Sequence, residues 1–217
     1  MKNNVKFKVL IAMAIVIMFS SFGSFTSEAA GYKTVYVLSK ITYPSFGSNW
    51  EVVFSYNKKG FVTKQVQNTG DFGGSFTYSY NSSNYIKSAY CTSDNTADYT
   101  QKFYYKKGKL KKKVTVREDK TSVNTYYWKK NHLRKMTLKP GLNGPIVTTY
   151  KHDSKGNICK QSEKLYQKDY KLKYKNGRLV SIDKGYNVRF YYKKIKVSKK
   201  NISKIKKQQW LFINGFI

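Results

Sequence analysis

Seven times between Val52 and Val197 the chain repeats one short pattern, and that repetition limits its fold more than any other feature. The clearest copy is Asp169 to Asp183, DYKLKYKNGRLVSID. Tyr170, Leu172 and Tyr174 alternate with Lys171 and Lys173, the period of two that marks a strand with one buried and one wet face. Lys175-Asn176-Gly177 follows, and Gly accepts the positive φ that a tight hairpin needs. Leu179, Val180 and Ile182 then read as the returning strand. The segment is a β-hairpin.

The last residues of the seven first strands are Tyr56, Tyr80, Tyr105, Trp128, His152, Tyr174 and Tyr192, spaced by 24, 25, 23, 24, 22 and 18 residues. Two residues before each stand Phe54, Tyr78, Phe103, Tyr126, Tyr150, Leu172 and Phe190. Two earlier again come Val52, Phe76, Gln101, Asn124, Thr148, Tyr170 and Val188. Alternation places this aromatic-rich series on one face. Gly60, Asn84, Gly108, Asn131, Gly156 and Gly177 occupy the expected left-handed turn position, Asn being the next residue after Gly to tolerate it. The seventh unit has Ile195 there, which predicts a distorted or longer turn. Polar connectors such as Thr92-Ser93-Asp94-Asn95 and Pro140 to Pro145 separate the hairpins.

Seven hairpins supply about 14 strands, and Tyr32 to Leu38 adds another. An open sheet rarely exceeds ~10 strands without curling or splitting. The aromatic face also needs cover, since Lys, Ser and Thr oppose it. The expected fold is therefore all-β, a meander of antiparallel hairpins curled into a barrel, a spiral or a two-layer roll. Lys193 to Gln209 shows no apolar stripe and reads as strand and connector. The tail from Gln209 to Ile217 is too apolar to stand in water, so it is expected to dock as a closing strand or to plug one end.

The turn sequences resemble a known family. His152-Asp153-Ser154-Lys155-Gly156-Asn157-Ile158 is similar to the tyrosine-aspartate (YD, RHS-type) repeat, as are Tyr56 to Val62 and Tyr174 to Leu179 with the Asp replaced. The resemblance implies hairpins wound into a spiral β-shell. A weaker likeness is to the choline- and glucan-binding wall repeats, whose Gly-Trp core is absent here.

The N-terminus reads as an export signal. Lys2, Lys6 and Lys8 precede an 11-residue apolar run, Val9 to Phe19, and Ser27-Glu28-Ala29 offers a cleavage site. The run falls short of the ~20 residues that span a membrane. Residues 1–30 are thus expected to be a signal peptide, residues 31–217 a single secreted repeat domain, with no transmembrane segment after cleavage. The formal charge is +31 for the chain and +29 without the leader, which removes Lys2, Lys6, Lys8 and Glu28. Such an excess calls for an anionic partner such as an envelope or extracellular polymer. Arg117, Arg134, Arg178 and Arg189 are the only arginines among 42 basic residues. Arg is the side chain that reads base edges bidentately, so sequence-specific nucleic-acid recognition is not expected.

The residues expected to form the polyanion-binding face are Lys102, Lys151, Lys171, Lys173 and Arg189 on strands, with Lys58, Lys59, Lys106, Lys107, Lys129 and Lys130 in turns. Cys91 and Cys159 can pair in an oxidising compartment if the sheet curls enough to bring them together, or stand as two half-buried thiols. The two histidines, His132 and His152, and the scattered carboxylates form no catalytic or metal-binding pattern. No enzymatic activity and no cofactor is expected. Two functional classes remain: a binding module for anionic polymers, or a structural shell component or cationic effector acting on membranes or other cells.

Overall fold

A computed structural model describes residues 31–46, 50–68, 73–118, 120–139, 144–164, 168–183 and 187–213. The expected signal peptide, parts of several connectors and the last four residues of the tail lie outside them.

The described chain forms a closed antiparallel barrel of 14 strands. In chain order these are β1 (Tyr32–Thr42), β2 (Glu51–Tyr56), β3 (Val62–Asn68), β4 (Gly74–Tyr80), β5 (Ile86–Ser93), β6 (Tyr99–Lys106) and β7 (Lys109–Val116). The second half comprises β8 (Thr121–Lys129), β9 (His132–Lys139), β10 (Ile146–His152), β11 (Ile158–Glu163), β12 (Lys168–Lys175), β13 (Arg178–Asp183) and β14 (Asn187–Ser198). Each strand pairs with its chain neighbours, and β14 closes the ring on β1 from Tyr32↔Ser198 to Thr42↔Arg189. Of the three curled sheets the sequence allows, the barrel is the one formed.

The aromatic series is the barrel's inner wall. Phe54, Tyr78, Phe103, Tyr126, Tyr150, Leu172 and Phe190 are all buried. A second buried row comes from the returning strands: Val62, Ile86, Leu110, Leu133, Ile158 and Leu179. Each such side chain contributes roughly 1.5–3 kcal/mol on burial, so these two rows carry most of the fold. The strand-end residues are half-buried and have a separate task. Tyr56, Tyr80, Trp128, Tyr174 and Tyr192 donate hydrogen bonds to the backbone carbonyls of Leu38, Val62, Leu110, Ile158 and Leu179, at 2.5, 2.5, 2.8, 2.9 and 2.8 Å. Each bond ties one repeat to the strand before it. Their recurrence is why a large residue with a polar tip stands at this position.

A register shift falls just before this residue in every one of the six hairpins β2–β3 to β12–β13. The extra residue opposite it, Cys159 in the fifth hairpin, is a β-bulge. Bulges add twist and bend the strand, so the repeat carries its own curvature.

The turns fall into two kinds. In the first, second and fifth hairpins the residue after the strand, Asn57, Asn81 or Asp153, accepts backbone N–H bonds through its side chain. Asp153 is thus an Asx-type turn anchor, and Asn57 and Asn81 serve as well in the same place. The third, fourth and sixth hairpins close through two residues. In the fourth, positive φ is held by Lys130 (φ 54°) and not by Asn131, contrary to expectation.

Two further expectations are corrected. The seventh unit makes no hairpin: β14 continues through Ile195 as one 12-residue strand, Asn187–Ser198. A β-branched side chain resists the left-handed conformation a turn requires, so the strand continues and pairs with β1. The segment after it is a helix. A 3-10 turn (Lys199–Asn201) leads into α1 (Ile202–Ile213), which buries Ile205, Gln208, Gln209, Leu211 and Phe212. Phe212 packs edge-on against Phe54 and Tyr78, at 5.4 and 5.2 Å between ring centroids. As far as Ile213, the apolar tail is thus a helical plug in the turn end of the barrel.

The plug is specified by two glutamines. Gln209 accepts a 2.6 Å bond from the Leu38 N–H and donates to the Tyr56 hydroxyl at 3.1 Å. Gln208 accepts from the Val62 N–H at 3.3 Å and donates to the Tyr80 hydroxyl. They satisfy backbone groups inside the wall and bind the same hydroxyls that link the repeats.

Candidate functional site

The lysines expected on one face divide between the outer wall and the turn rim, and all of them are exposed. On the wall, β10, β11 and β12 bring Lys151, Lys160 and Lys171 into one cross-strand row through the pairs Lys151↔Lys160 and Lys160↔Lys171. Adjacent strands lie about 4.8 Å apart, so the row places three ammonium groups within about one Debye length. Lys173 pairs with Ser181, which pairs on its other side with Arg189, extending the patch across β12–β14. Like charges directly opposite one another destabilise a sheet. Negative charge beside the row comes from Asp169, whose carboxylate lies 2.5 Å from the Lys160 ammonium, and from Asp183, directly across from Lys171. Lysine hydrogen bonding holds the Asp169 carboxyl below its usual range, with Ser162 assisting.

Lys151, Lys171, Lys173 and Arg189 are therefore brought together, and Lys160 joins them. Alternation alone misses Lys160 because it follows a bulge, where the period of two slips by one residue. Lys102 stands apart on β6, between Ser88 and Val114. Lys58 and Lys59, Lys106 and Lys107, and Lys129 and Lys130 occupy three turns of the rim, and Lys109 bonds the Lys130 carbonyl to link two of these turns.

The wall also exposes tyrosines. Tyr36, Tyr90, Tyr104, Tyr127 and Tyr191 are 43–51% accessible. Cations cover several of these rings: Lys112 over Tyr104 at 4.4 Å, Lys135 over Tyr127 at 4.3 Å and Arg178 over Tyr36 at 4.1 Å. The Arg178 hydrogen bond pulls the Tyr36 phenol down. An outer wall of Lys and Tyr around an apolar interior is the reverse of a membrane-spanning barrel, which shows an apolar band to lipid. Among the described residues no helix is long and apolar enough to cross a membrane.

At the rim, α1 leaves a cleft on each side. One, of about 520 Å³, lies between the helix and the turns of β5–β9; the other, of about 640 Å³, faces β1, β12–β13 and β14. The first is lined by Tyr85, Tyr105, Trp128 and Trp210, with Lys107 and Lys207 among its cations.

Other groups with chemical potential are dispersed. Cys91 and Cys159 are free thiols on β5 and β11, six strands apart around the ring, so the barrel does not bring them together. Burial pushes the Cys91 thiol up. His132 and His152 meet ring to ring at 4.8 Å, and burial, reinforced by His132, holds His152 below its usual value. Among the described residues no group of three His, Cys, Asp or Glu side chains could hold a metal ion. Lys113 carries no sequence feature that singles it out. It lies across from Phe103 and Asn124, both buried in the lumen, so it points inward, and desolvation pulls its ammonium down to about 8.

Fold and surface together define a class: a closed antiparallel hairpin barrel, helically plugged, with a cationic outer wall. No family model matches the chain, and no curated protein matches its sequence. Among solved structures, a Tc holotoxin pore from Photorhabdus luminescens matches at 11% identity and a TM-score of 0.31, covering 61% of this chain and 7% of that one.

Proposed function

We propose that this is an exported, non-enzymatic barrel that holds anionic cell-envelope or extracellular polymers on its lysine-bearing wall. The observation that carries this is the Lys151–Lys160–Lys171 row with Lys173 and Arg189 beside it, five cations against the carboxylates of Asp169 and Asp183. A fold that sets like charges opposite each other across three strands gives up stability, and a polyanion restores it by adding counter-charge to a patch where cations outnumber carboxylates. Tyr191, exposed two residues from Arg189 on β14, adds flat contact area at the edge of the patch. The attraction is diffuse and salt-labile, since charges separated by more than ~8–10 Å are screened at physiological ionic strength.

The test is retention on isolated bacterial cell walls at low and at high salt. Wild-type protein is retained at low salt and released at high salt, and Lys151→Gln/Lys160→Gln/Lys171→Gln is retained several-fold less. Retention that ignores salt, or that survives the triple substitution, refutes the proposal. The alternative of a shell enclosing cargo draws less support, because α1 and the aromatic rows occupy the interior.

A further inference from the structure

We propose that the cleft between α1 and the rim of β5–β9 binds a small amphipathic anion, a flat apolar ring bearing a carboxylate, sulfate or phosphate. This ligand and this place are separate from the polymer-holding wall.

The cavity, about 520 Å³, falls in the range of small-molecule sites. Its apolar lining is ring-rich. Tyr85 and Tyr105 meet at 4.9 Å between centroids, and Trp128 and Trp210 at 5.4 Å, each pair tilted, so one pair comes wholly from the rim and the other joins the rim to the helix. Leu110 and Leu211 complete the apolar surface.

The polar lining is one-sided. Lys107, Lys204, Lys206 and Lys207 are present and no carboxylate is. The Lys207 ammonium approaches the Gly108 turn beside the Tyr85 hydroxyl: a Cβ placed on Gly108 would lie 3.4 Å from the one and 2.8 Å from the other. Nothing in the fold asks for these lysines. α1 has no acidic residue in its first turn, and Lys199, Lys200 and Lys204 set positive charge near the helix N-terminus, where it opposes the macrodipole. Lys204 and Lys207 are neighbours at i,i+3, a like-charge pair that also weakens the helix.

Hydrogen-bond accounting narrows the ligand further. The Gln208 amide is committed to Val62 and Tyr80, and the Trp128 indole N–H to the Leu110 carbonyl. What the cleft still offers is ring faces, ammonium donors and the two amides of Asn84 and Asn131. A neutral sugar finds acceptors only in amide and phenol oxygens here and leaves the ammonium groups without a counter-charge. A ligand with an apolar body and an anionic head uses everything present.

The experiment is calorimetric titration of the full chain with 1-naphthyl phosphate and, in parallel, with uncharged 1-naphthol. Saturable binding of the phosphate, at least tenfold tighter than of the naphthol, is expected. Lys107→Gln/Lys207→Gln lowers the phosphate affinity about tenfold while leaving the melting transition in place, since both ammonium groups face solvent. Lys151→Gln/Lys160→Gln/Lys171→Gln leaves it unchanged. No saturable binding, equal affinity for the two probes, or full affinity in the cleft variant each overturns the inference. Cell-wall retention measured on the same two variants separates this outcome from the fate of the polymer reading, because the cleft variant keeps the wall row intact.

Discussion

Replacing Lys113 by Met tests whether the lumen is as dry as its side chains imply. Lys113 projects inward from β7 between Phe103 and Asn124, neither of which titrates, and no carboxylate among the described residues pairs with it. Burial brings its ammonium from 10.5 to about 8. The folded state thus binds this proton less well than the unfolded chain, and the charged form opposes folding. Below about pH 8 both states are protonated and the penalty is complete. As pH rises from about 8 towards 10.5, the folded protein has released a proton that the unfolded chain still holds, and stability rises. At 1.36 kcal/mol per decade of affinity the full penalty is about 3 kcal/mol. Met keeps a long flexible stem without the charge. Urea unfolding followed by circular dichroism should find Lys113→Met more stable than wild type by roughly 2–3 kcal/mol near pH 7. The gap should close as pH approaches 10.5. Buried tyrosines such as Tyr56 and Tyr126, pushed up by desolvation, weaken both proteins at high pH alike. Their effect cancels in the difference. A gap independent of pH, or a variant less stable than wild type at neutral pH, refutes the reasoning.

Other perturbations separate the roles of turn, plug and wall. Gly60→Ala should destabilise by roughly 2–4 kcal/mol, combining left-handed strain with overpacking, because its Cβ would fall 2.6 Å from Val197 and 2.7 Å from Ile205. Gly177→Ala, at φ +70° with nothing within 4 Å, should lose only about 1–2 kcal/mol; thermal melts showing equal losses would sink the contrast. Gln209→Leu should cost about 1–3 kcal/mol by stranding the Leu38 N–H, and hydrogen exchange at Leu38 should accelerate; unchanged protection there would show the plug is not what satisfies it. Asp153→Ala removes the acceptor of the Lys155 and Asn157 N–H groups and should cost about 0.5–2 kcal/mol, while Asp153→Asn, the residue found at Asn57 and Asn81, should retain most of the stability.

The hairpins and their inner face were legible because two periodicities agreed: alternation within strands and a repeat near 23 residues between them. Phe54 to Phe190 all landed in the core for that reason. The bulges were not legible, since an extra residue leaves no signature in side-chain type: Thr63, Lys87 and Cys159 have nothing in common. That slip hid Lys160 from the wall patch. The turn at Lys130 was misassigned because Asn beside Lys looks the better left-handed residue, while a two-residue loop fixes which position turns. The rim clefts could not be read at all, because they exist only between the helix and the strands it enters.

The helix itself was within reach of a stricter argument. About eight strands enclose a lumen that side chains can fill; fourteen enclose one they cannot. Once the repeat count pointed to a closed ring of that size, some other segment had to enter it. The stretch after Val197 was the one with spare apolar residues. Ile202, Ile205, Gln209 and Phe212 lie three or four apart, one helical face, and the lysines between them obscure the spacing because they occupy the faces turned to the clefts. The charge that made this segment look unlike a helix is the same charge that gives the rim its anionic preference.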